Sequence, residues 1–383
     1  TVFPVNLGVA FGVSQTGRFL RHFLYQGFNT DERGRKVFDG MLIHTAGAGR
    51  GSFNHRFAQP SRDAHRYSSF FYPTDLFPFT SRSQRDPVTG REEGLFSAQR
   101  ADHLPLIFYT NTGYEYWGRA ASLIHTSVDG LQDVEPRENE RIYHLSGGQH
   151  FVGSFPPREE DRMEGEGVVA YRGNPLDFLP ALRALALRLV AWVEDDTPPP
   201  PSAFPTIGEG NLVSPMGLAF PDLPGVQVPL VTQEAYRVDY GPRWWSEGIV
   251  DQQPPVLGPP FPSLVPQVDG LGNEMGGVRA VELRAPLGTY APWNLRTGFE
   301  GGSDELTDFL GTFIPLSTTE EEREASGDPR PSIEALFGSR DVYLERVRSA
   351  ARELVREGFL LPDDAAAVVE SAEVRWDWLM GGG

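Results

Sequence analysis

Apart from one insertion, apolar residues in the first half of the chain occur either in short runs or at helical spacing. The runs predict strands at residues 5–11, 37–45, 104–110 and 141–145. The helical spacing predicts a helix over residues 15–26, a short one over 119–126 and the longest one over 176–194. Strands that alternate with helices or insertions are typical of a parallel sheet with crossover connections. The pattern therefore predicts an α/β fold.

The pattern changes after residue 197. Pro198 to Pro201 end the long predicted helix and mark the clearest boundary in the chain. Residues 202–300 are rich in proline and glycine, with short strand-like pieces such as 225–232 and 278–283, and amphipathic helices follow at 332–357 and 362–380. We therefore divide the chain into a core, residues 1–197, and a second region, 198–383, packed on that core.

One insertion within the first region is unusually aromatic. Residues 52–102 show no clean periodicity, yet they contain Phe53, Phe57, Tyr67, Phe70, Phe71, Tyr72, Phe77 and Phe79. So much apolar surface has to be buried somewhere. We interpret the insertion as a lid over a pocket.

Composition narrows the function classes. The chain has 383 residues, a formal net charge of −18 and no cysteine. An acidic surface repels phosphate backbones and anionic lipids, so we expect no nucleic-acid partner. The absence of cysteine excludes disulfides, thiolate catalysis and cysteine-based metal centres. No apolar run is long enough to cross a bilayer, and no motif calls for a cofactor.

The first candidate for catalysis is Ser14, at the turn between the first predicted strand and helix. In a nucleophile elbow, a sharp turn lifts the serine Oγ clear of the sheet and leaves the next backbone N–H pointing at a developing oxyanion. Gly12 and Ser14 match the common G-x-S-x-G pattern, whereas its fifth position holds Thr16. Ser14 could instead cap the helix that follows, because serine is a favoured N-cap residue.

Glu115 and His150 complete a candidate triad with Ser14. Each of the three follows a predicted strand, and the carboxyl ends of parallel strands collect function at one edge of a sheet. We predict that His150 accepts the serine proton and that Glu115 orients the imidazole. Asp102 and Asp129 compete with Glu115 for the role of the acid.

Further site residues are predicted around this triad. The backbone N–H of Gln15 is the first oxyanion donor. We predict substrate contacts for His55, Phe57, Tyr116 and Trp117. His55 and His65 lie near Asp63, but their spacing fits no metal-binding motif, so we predict no metal site.

Several segments resemble a bacterial group of α/β-hydrolase-domain proteins. They are GVSQTGRFLR (12–21), GFN (27–29), GSFNHRFAQP (51–60), TNTGYEYWGR (110–119), PLGTY (286–290) and WN (293–294). The resemblance implies an α/β-hydrolase fold and a serine esterase that cleaves carboxylic esters through an acyl-enzyme. An amidase or peptidase with the same triad, and a catalytically silent binding protein with this fold, are the alternatives.

The resemblance also implies that the chain is truncated at its N-terminus. Related hydrolases have several strands before the nucleophile strand, whereas only 13 residues precede Ser14 here. We therefore expect the first strand to form an exposed apolar edge. We also expect the second oxyanion donor to be missing and the activity of this chain to be low.

Overall fold

The secondary structure comes from a computed structural model that describes residues 6–51, 53, 73, 75–158, 168–297 and 305–381. The strands are β1 Val9–Val13, β2 Gly40–His44, β3 Gln84–Arg85, β4 Glu92–Glu93, β5 Leu106–Thr112, β6 Glu140–Leu145, β7 Val168–Val169, β8 Leu212–Val213, β9 Tyr236–Asp239, β10 Val256–Pro260, β11 Val265–Pro266, β12 Gly288–Ala291, β13 Arg296–Thr297 and β14 Thr312–Pro315. The α-helices are α1 Gln15–Tyr25, α2 Gly113–Gly118, α3 Leu179–Asp195, α4 Trp244–Glu247, α5 Val281–Arg284, α6 Glu320–Ser326, α7 Ile333–Phe337, α8 Arg340–Glu357 and α9 Ala365–Met380. Short 3₁₀ helices lie at Ala101–His103, Ala121–Ile124, Pro215–Gly217 and Pro362–Asp364.

Four parallel strands form the central sheet in the order β1-β2-β5-β6. The register pairs Val13 with His44, His44 with Thr110 and Thr112 with Leu145. The strands therefore end at nearly the same level, and the residues that follow them lie at one edge. The predicted parallel α/β sheet is confirmed.

The two faces of the sheet carry separate hydrophobic clusters. Leu42, Phe108 and Tyr143 pack on one side with the α3 residues Leu185 and Leu189. Alternate residues of the same strands point the other way. That second set joins the α1 residues Leu20 and Leu24 and consists of Met41, Ile43, Ile107, Tyr109 and Ile142. Both faces of β2, β5 and β6 are thus covered, as is usual for parallel strands.

Residues beyond position 197 extend this core. Ala203 and Val278 make parallel bridges to Tyr143 and Leu145 on the outer side of β6. Leu354 of α8 lies in the same hydrophobic cluster as the α3 residues. This hydrophobic cluster thus contains residues from both sides of position 197. The division of the chain at that position remains a prediction.

Several local predictions were wrong. The helix predicted over residues 332–357 is divided at Gly338 into α7 and α8. Residues 225–232 form no strand, since Gly225 and Pro229 interrupt the run. Residues 278–283 contain a bridge at Val278 and then the helix α5 instead of a strand. The predicted helix 119–126 is a 3₁₀ turn at Ala121–Ile124, because Ala120 has a φ of 48° that breaks the helix.

The aromatic insertion is described only in part. Phe77 and Phe79 are buried, and their rings pack against Phe261 with centroids 6.4 and 4.9 Å away. Phe53 packs edge-on against Phe19 of α1 at 5.4 Å. Phe57, Tyr67, Phe70, Phe71 and Tyr72 lie outside the described residues. The lid therefore remains a prediction.

Strand β1 lies at the edge of the described sheet. Its residues Val9, Phe11 and Val13 are 42%, 60% and 36% exposed. An apolar groove of about 670 Å³ lies beside them, lined in part by Leu182 and Val281. Ser14, Glu115 and His150 are not among the residues that line this groove.

No helix in the described part of the chain is both long enough and apolar enough to span a membrane.

Candidate active site

The turn between β1 and α1 holds Ser14 in an unusual backbone conformation. Its φ is 53° and its ψ is −114°. The Ser14 N–H donates to the carbonyl of His44, at the end of the neighbouring strand, at 2.8 Å. A Cβ on Gly12 would lie 2.6 Å from the Thr16 carbonyl oxygen, so the chain can turn this tightly only with glycine there. Positive φ at a non-glycine residue is uncommon and is often found at functional sites.

Thr16 stabilises this turn. Its Oγ1 lies 2.8 Å from both the N and the O of Val13, accepting from the former and donating to the latter. The residue that departs from the G-x-S-x-G pattern therefore ties the two sides of the turn together. The sequence pattern alone gave Thr16 no such role.

The side chain of Ser14 contacts a histidine rather than the helix. Its Oγ lies 3.0 Å from Nε2 of His150. Ser14 occupies the N-cap position of α1, but its side chain makes no capping hydrogen bond. The hydrogen-bond partner of the Ser14 hydroxyl is therefore a histidine, as a serine nucleophile requires, and not a backbone N–H of the helix.

Glu115 lies on the other side of the imidazole. Its Oε1 is 2.5 Å from Nδ1 of His150, and both side chains are fully buried. Its Oε2 accepts hydrogen bonds from the backbone N–H of Thr112 at 2.9 Å and from the Thr112 hydroxyl at 2.5 Å. Both carboxylate oxygens of Glu115 therefore have hydrogen-bond partners.

These contacts decide the charge of Glu115. Burial on its own would raise the pKa of this carboxyl group, but the His150 imidazole and the Thr112 donors outweigh burial and hold the pKa below its ordinary value. A carboxylate at this position can orient the imidazole and stabilise its protonated form. Thr112 and Glu115 form a capping box at the start of α2, and the T-x-x-E spacing of that box was readable in the sequence.

The competing carboxylates have other partners. Asp102 is paired with Arg100 at 2.7 Å, and Asp129 accepts from the Ser127 hydroxyl at 2.5 Å. Of the three candidate acids, the structure brings Glu115 to His150.

Among the described residues, three aromatic rings lie close to the His150 imidazole. The ring centroids of Phe151, Phe309 and Tyr114 lie 4.5, 4.6 and 5.6 Å from it. The backbone N–H of His150 also donates to the backbone carbonyl of Phe309 at 3.2 Å. Phe309 was missed by sequence reasoning, because it belongs to an irregular segment far along the chain and no motif marks it.

A second buried histidine–carboxylate pair supports the loop that carries His150. Glu274 Oε2 accepts from the backbone N–H of Gly147 at 2.5 Å and lies 2.9 Å from Nε2 of His144. Both side chains are almost completely buried. The carboxylate therefore joins the end of β6 to the turn that leads to His150.

The remaining predicted site residues have different outcomes. Gln15 is the first residue of α1, where backbone N–H groups point out of the helix and favour negative charge.

Tyr116 and Trp117, the two described residues with predicted substrate contacts, are each about 1% exposed. The Tyr116 hydroxyl bonds to His125 at 2.9 Å, and Trp117 packs against Trp293. Both rings therefore serve the core, and their positions do not support substrate contact.

His55 and Phe57 lie outside the described residues, as do His65 and Asp63. Within the described ranges, no group of three or more histidine, aspartate or glutamate side chains is arranged to hold a metal ion.

Comparison with known proteins identifies the fold. A family model described as "Alpha/beta hydrolase domain" matches residues 3–370. Mouse phosphofurin acidic cluster sorting protein 2 is 28% identical over 118 residues, which are 30% of this chain and 14% of that protein. The match thus spans a small part of that protein's length. No solved structure gives a significant match.

Proposed function

The chain belongs to the alpha/beta hydrolase domain family, and on that premise we propose that it is a serine hydrolase that cleaves carboxylic esters. The observation that carries the proposal is the continuous hydrogen-bonded series from Ser14 Oγ through His150 to Glu115. A serine hydroxyl is a weak nucleophile at neutral pH and needs a base of this kind within reach. Carboxylic esters are proposed as the substrate class because segments 12–21, 51–60 and 110–119 resemble those of α/β-hydrolase-domain proteins.

The proposed reaction has two steps. Ser14 Oγ attacks the acyl carbon while His150 Nε2 takes the hydroxyl proton, and the carbonyl oxygen becomes an oxyanion beside the Gln15 N–H. The bond to the alcohol oxygen then breaks, and His150 returns the proton to that oxygen. A water molecule next attacks the acyl-enzyme with His150 as the base, which releases the acid and restores Ser14.

Glu115 acts on the imidazole throughout this cycle. It fixes Nδ1 as the protonated nitrogen, so that Nε2 faces Ser14 as an acceptor. It also stabilises the imidazolium that forms in each step. The low pKa of Glu115 keeps it ionised for this role at neutral pH.

A fluorophosphonate probe tests the proposal directly. Such probes form a covalent bond with activated serines, so we expect labelling at Ser14, located by peptide mass spectrometry. Ser14→Ala should lose the label and the ester hydrolysis together. Ser326→Ala removes an exposed serine of α6 and should keep both.

The result that would overturn the proposal is a folded, unlabelled protein. That outcome would favour a binding protein with this fold. If the label appears and matched amides are cleaved as fast as esters, the enzyme is an amidase that uses the same residues.

A further inference from the structure

Two phenylalanine rings flank the imidazole of His150. Phe151 lies edge-on to it with centroids 4.5 Å apart, and Phe309 lies at 4.6 Å with an angle of 36° between the ring planes. The two phenylalanine rings are 5.5 Å from each other. They form one continuous aromatic surface beside His150.

This surface is open to a ligand. Phe151 is 48% exposed, and Phe309 is half-buried. The third ring at His150, that of Tyr114, is 1% exposed and belongs to the interior. Phe151 and Phe309 therefore leave apolar ring surface accessible to solvent beside the buried side chains of Glu115 and His150.

The backbone of Phe309 is held in a conformation that disfavours its own side chain. Its φ is 73°, in the left-handed region that bulky residues rarely adopt. Hydrogen bonds from His150 N–H to the Phe309 carbonyl and from Gly311 N–H to Gln149 Oε1 hold the segment there. Such conformations persist where the surroundings enforce them, and they concentrate at ligand sites.

Resting on the proposed function, we infer that Phe151 and Phe309 form the binding surface for the alcohol group of the ester. In the first step, the proton of Ser14 passes through His150 Nε2 to the departing alcohol oxygen. The alcohol group therefore has to lie beside the imidazole, where these two rings are. Aromatic rings bind apolar groups by burial and ring stacking. The substrate class is esters of aromatic or bulky apolar alcohols.

Rings that bind the alcohol group and rings with a purely structural role should affect the kinetics differently. The alcohol has left the enzyme once the acyl group is on Ser14. The two rings should therefore affect acylation and leave hydrolysis of the acyl-enzyme unchanged.

Benzyl acetate and methyl acetate test this distinction, because they share the acyl group and their alcohols have similar acidity. In Phe309→Ala and in Phe151→Ala, we expect kcat/KM for benzyl acetate to fall about tenfold relative to methyl acetate, the scale on which apolar contacts discriminate substrates. The rate of deacylation, measured on the acetyl-enzyme, should stay at the wild-type value in both variants.

Phe309→Gly separates the ring from the backbone. Glycine accepts a φ of 73° without strain, whereas alanine does not. Phe309→Gly and Phe309→Ala both lack the ring, so they should lose the preference for benzyl acetate over methyl acetate equally, even if their stabilities differ. Phe28→Ala removes another exposed ring, 51% exposed and packed on Phe23, and should leave the preference unchanged.

An equal loss for both esters, or a slower deacylation, would overturn the inference and leave the rings a structural role. If Ser14 takes the fluorophosphonate label but the benzyl preference survives in all three ring variants, this inference fails and the proposed function stands. If Ser14 takes no label, both fail.

Discussion

Ser14 Oγ lies 3.0 Å from His150 Nε2, although 136 positions separate the two residues in the sequence. Ser14 follows β1, and His150 lies five residues after the end of β6, at opposite sides of the four-stranded sheet. All four strands run in the same direction, so both residues emerge at the same edge. Glu115 follows β5, between them, and completes the series. The site is therefore a consequence of the sheet topology.

Glu115→Gln should reduce kcat strongly while leaving KM close to its wild-type value. The amide keeps the size of the side chain but cannot stabilise an imidazolium, and it can present its NH₂ group to His150. We expect a decrease in kcat on the order of 10³- to 10⁴-fold. Steady-state kinetics on an ester, with circular dichroism to verify folding, measures the effect.

Asp102→Asn is the matched control for that variant. Asp102 is exposed and paired with Arg100, and an exposed pair of this kind contributes little to stability. Its kinetics should be those of the wild type. A large loss in Asp102→Asn, with none in Glu115→Gln, would show that Glu115 is not the acid of the triad.

Thr112→Val should destabilise the protein more at neutral pH than in acid. The variant keeps the shape of the side chain but removes the hydroxyl that donates to Glu115. The pKa of Glu115 is lowered in the folded protein, so its charge contributes stability above the pKa of the unfolded chain, and that contribution is lost as the pH falls through the lowered value. We expect a cost of about 1.5–3 kcal/mol at pH 7, typical of a hydrogen bond to a charged group.

Urea denaturation at pH 7 and at pH values near the lowered pKa measures this difference. Thr318→Val is the control, because Thr318 donates to Glu322 through the same backbone and hydroxyl contacts at an exposed site. Water can replace that hydroxyl, so the change should be small. Equal costs for the two variants at every pH would contradict an ionised, buried Glu115.

The sequence predicted the sheet, and it singled out Ser14, Glu115 and His150 as candidates, because their signals are local. Each central strand coincides with a short run rich in apolar residues, and Ser14, Glu115 and His150 each follow one of these strands. The support around them was not predictable in the same way. Phe309 and Glu274 reach His150 and its loop by contacts between distant, irregular segments, and no periodicity marks such residues. Their identification required the folded chain.

Gly12→Ala should disrupt the elbow and with it the site. The added Cβ would lie 2.6 Å from the carbonyl oxygen and 2.8 Å from the carbonyl carbon of Thr16, and neither backbone atom can move without opening the turn. We expect a loss of about 1–3 kcal/mol in the free energy of unfolding, the usual range for overpacking. Fluorophosphonate labelling of Ser14 should slow by a larger factor than a mere loss of stability explains, because the Oγ moves away from His150 Nε2.

Gly270→Ala is the control for Gly12→Ala, since a Cβ on Gly270 would meet no atom within 4 Å. That variant should keep the labelling rate and have equal or slightly higher stability. If urea denaturation and labelling of Gly12→Ala match those of Gly270→Ala, the tight turn does not position Ser14.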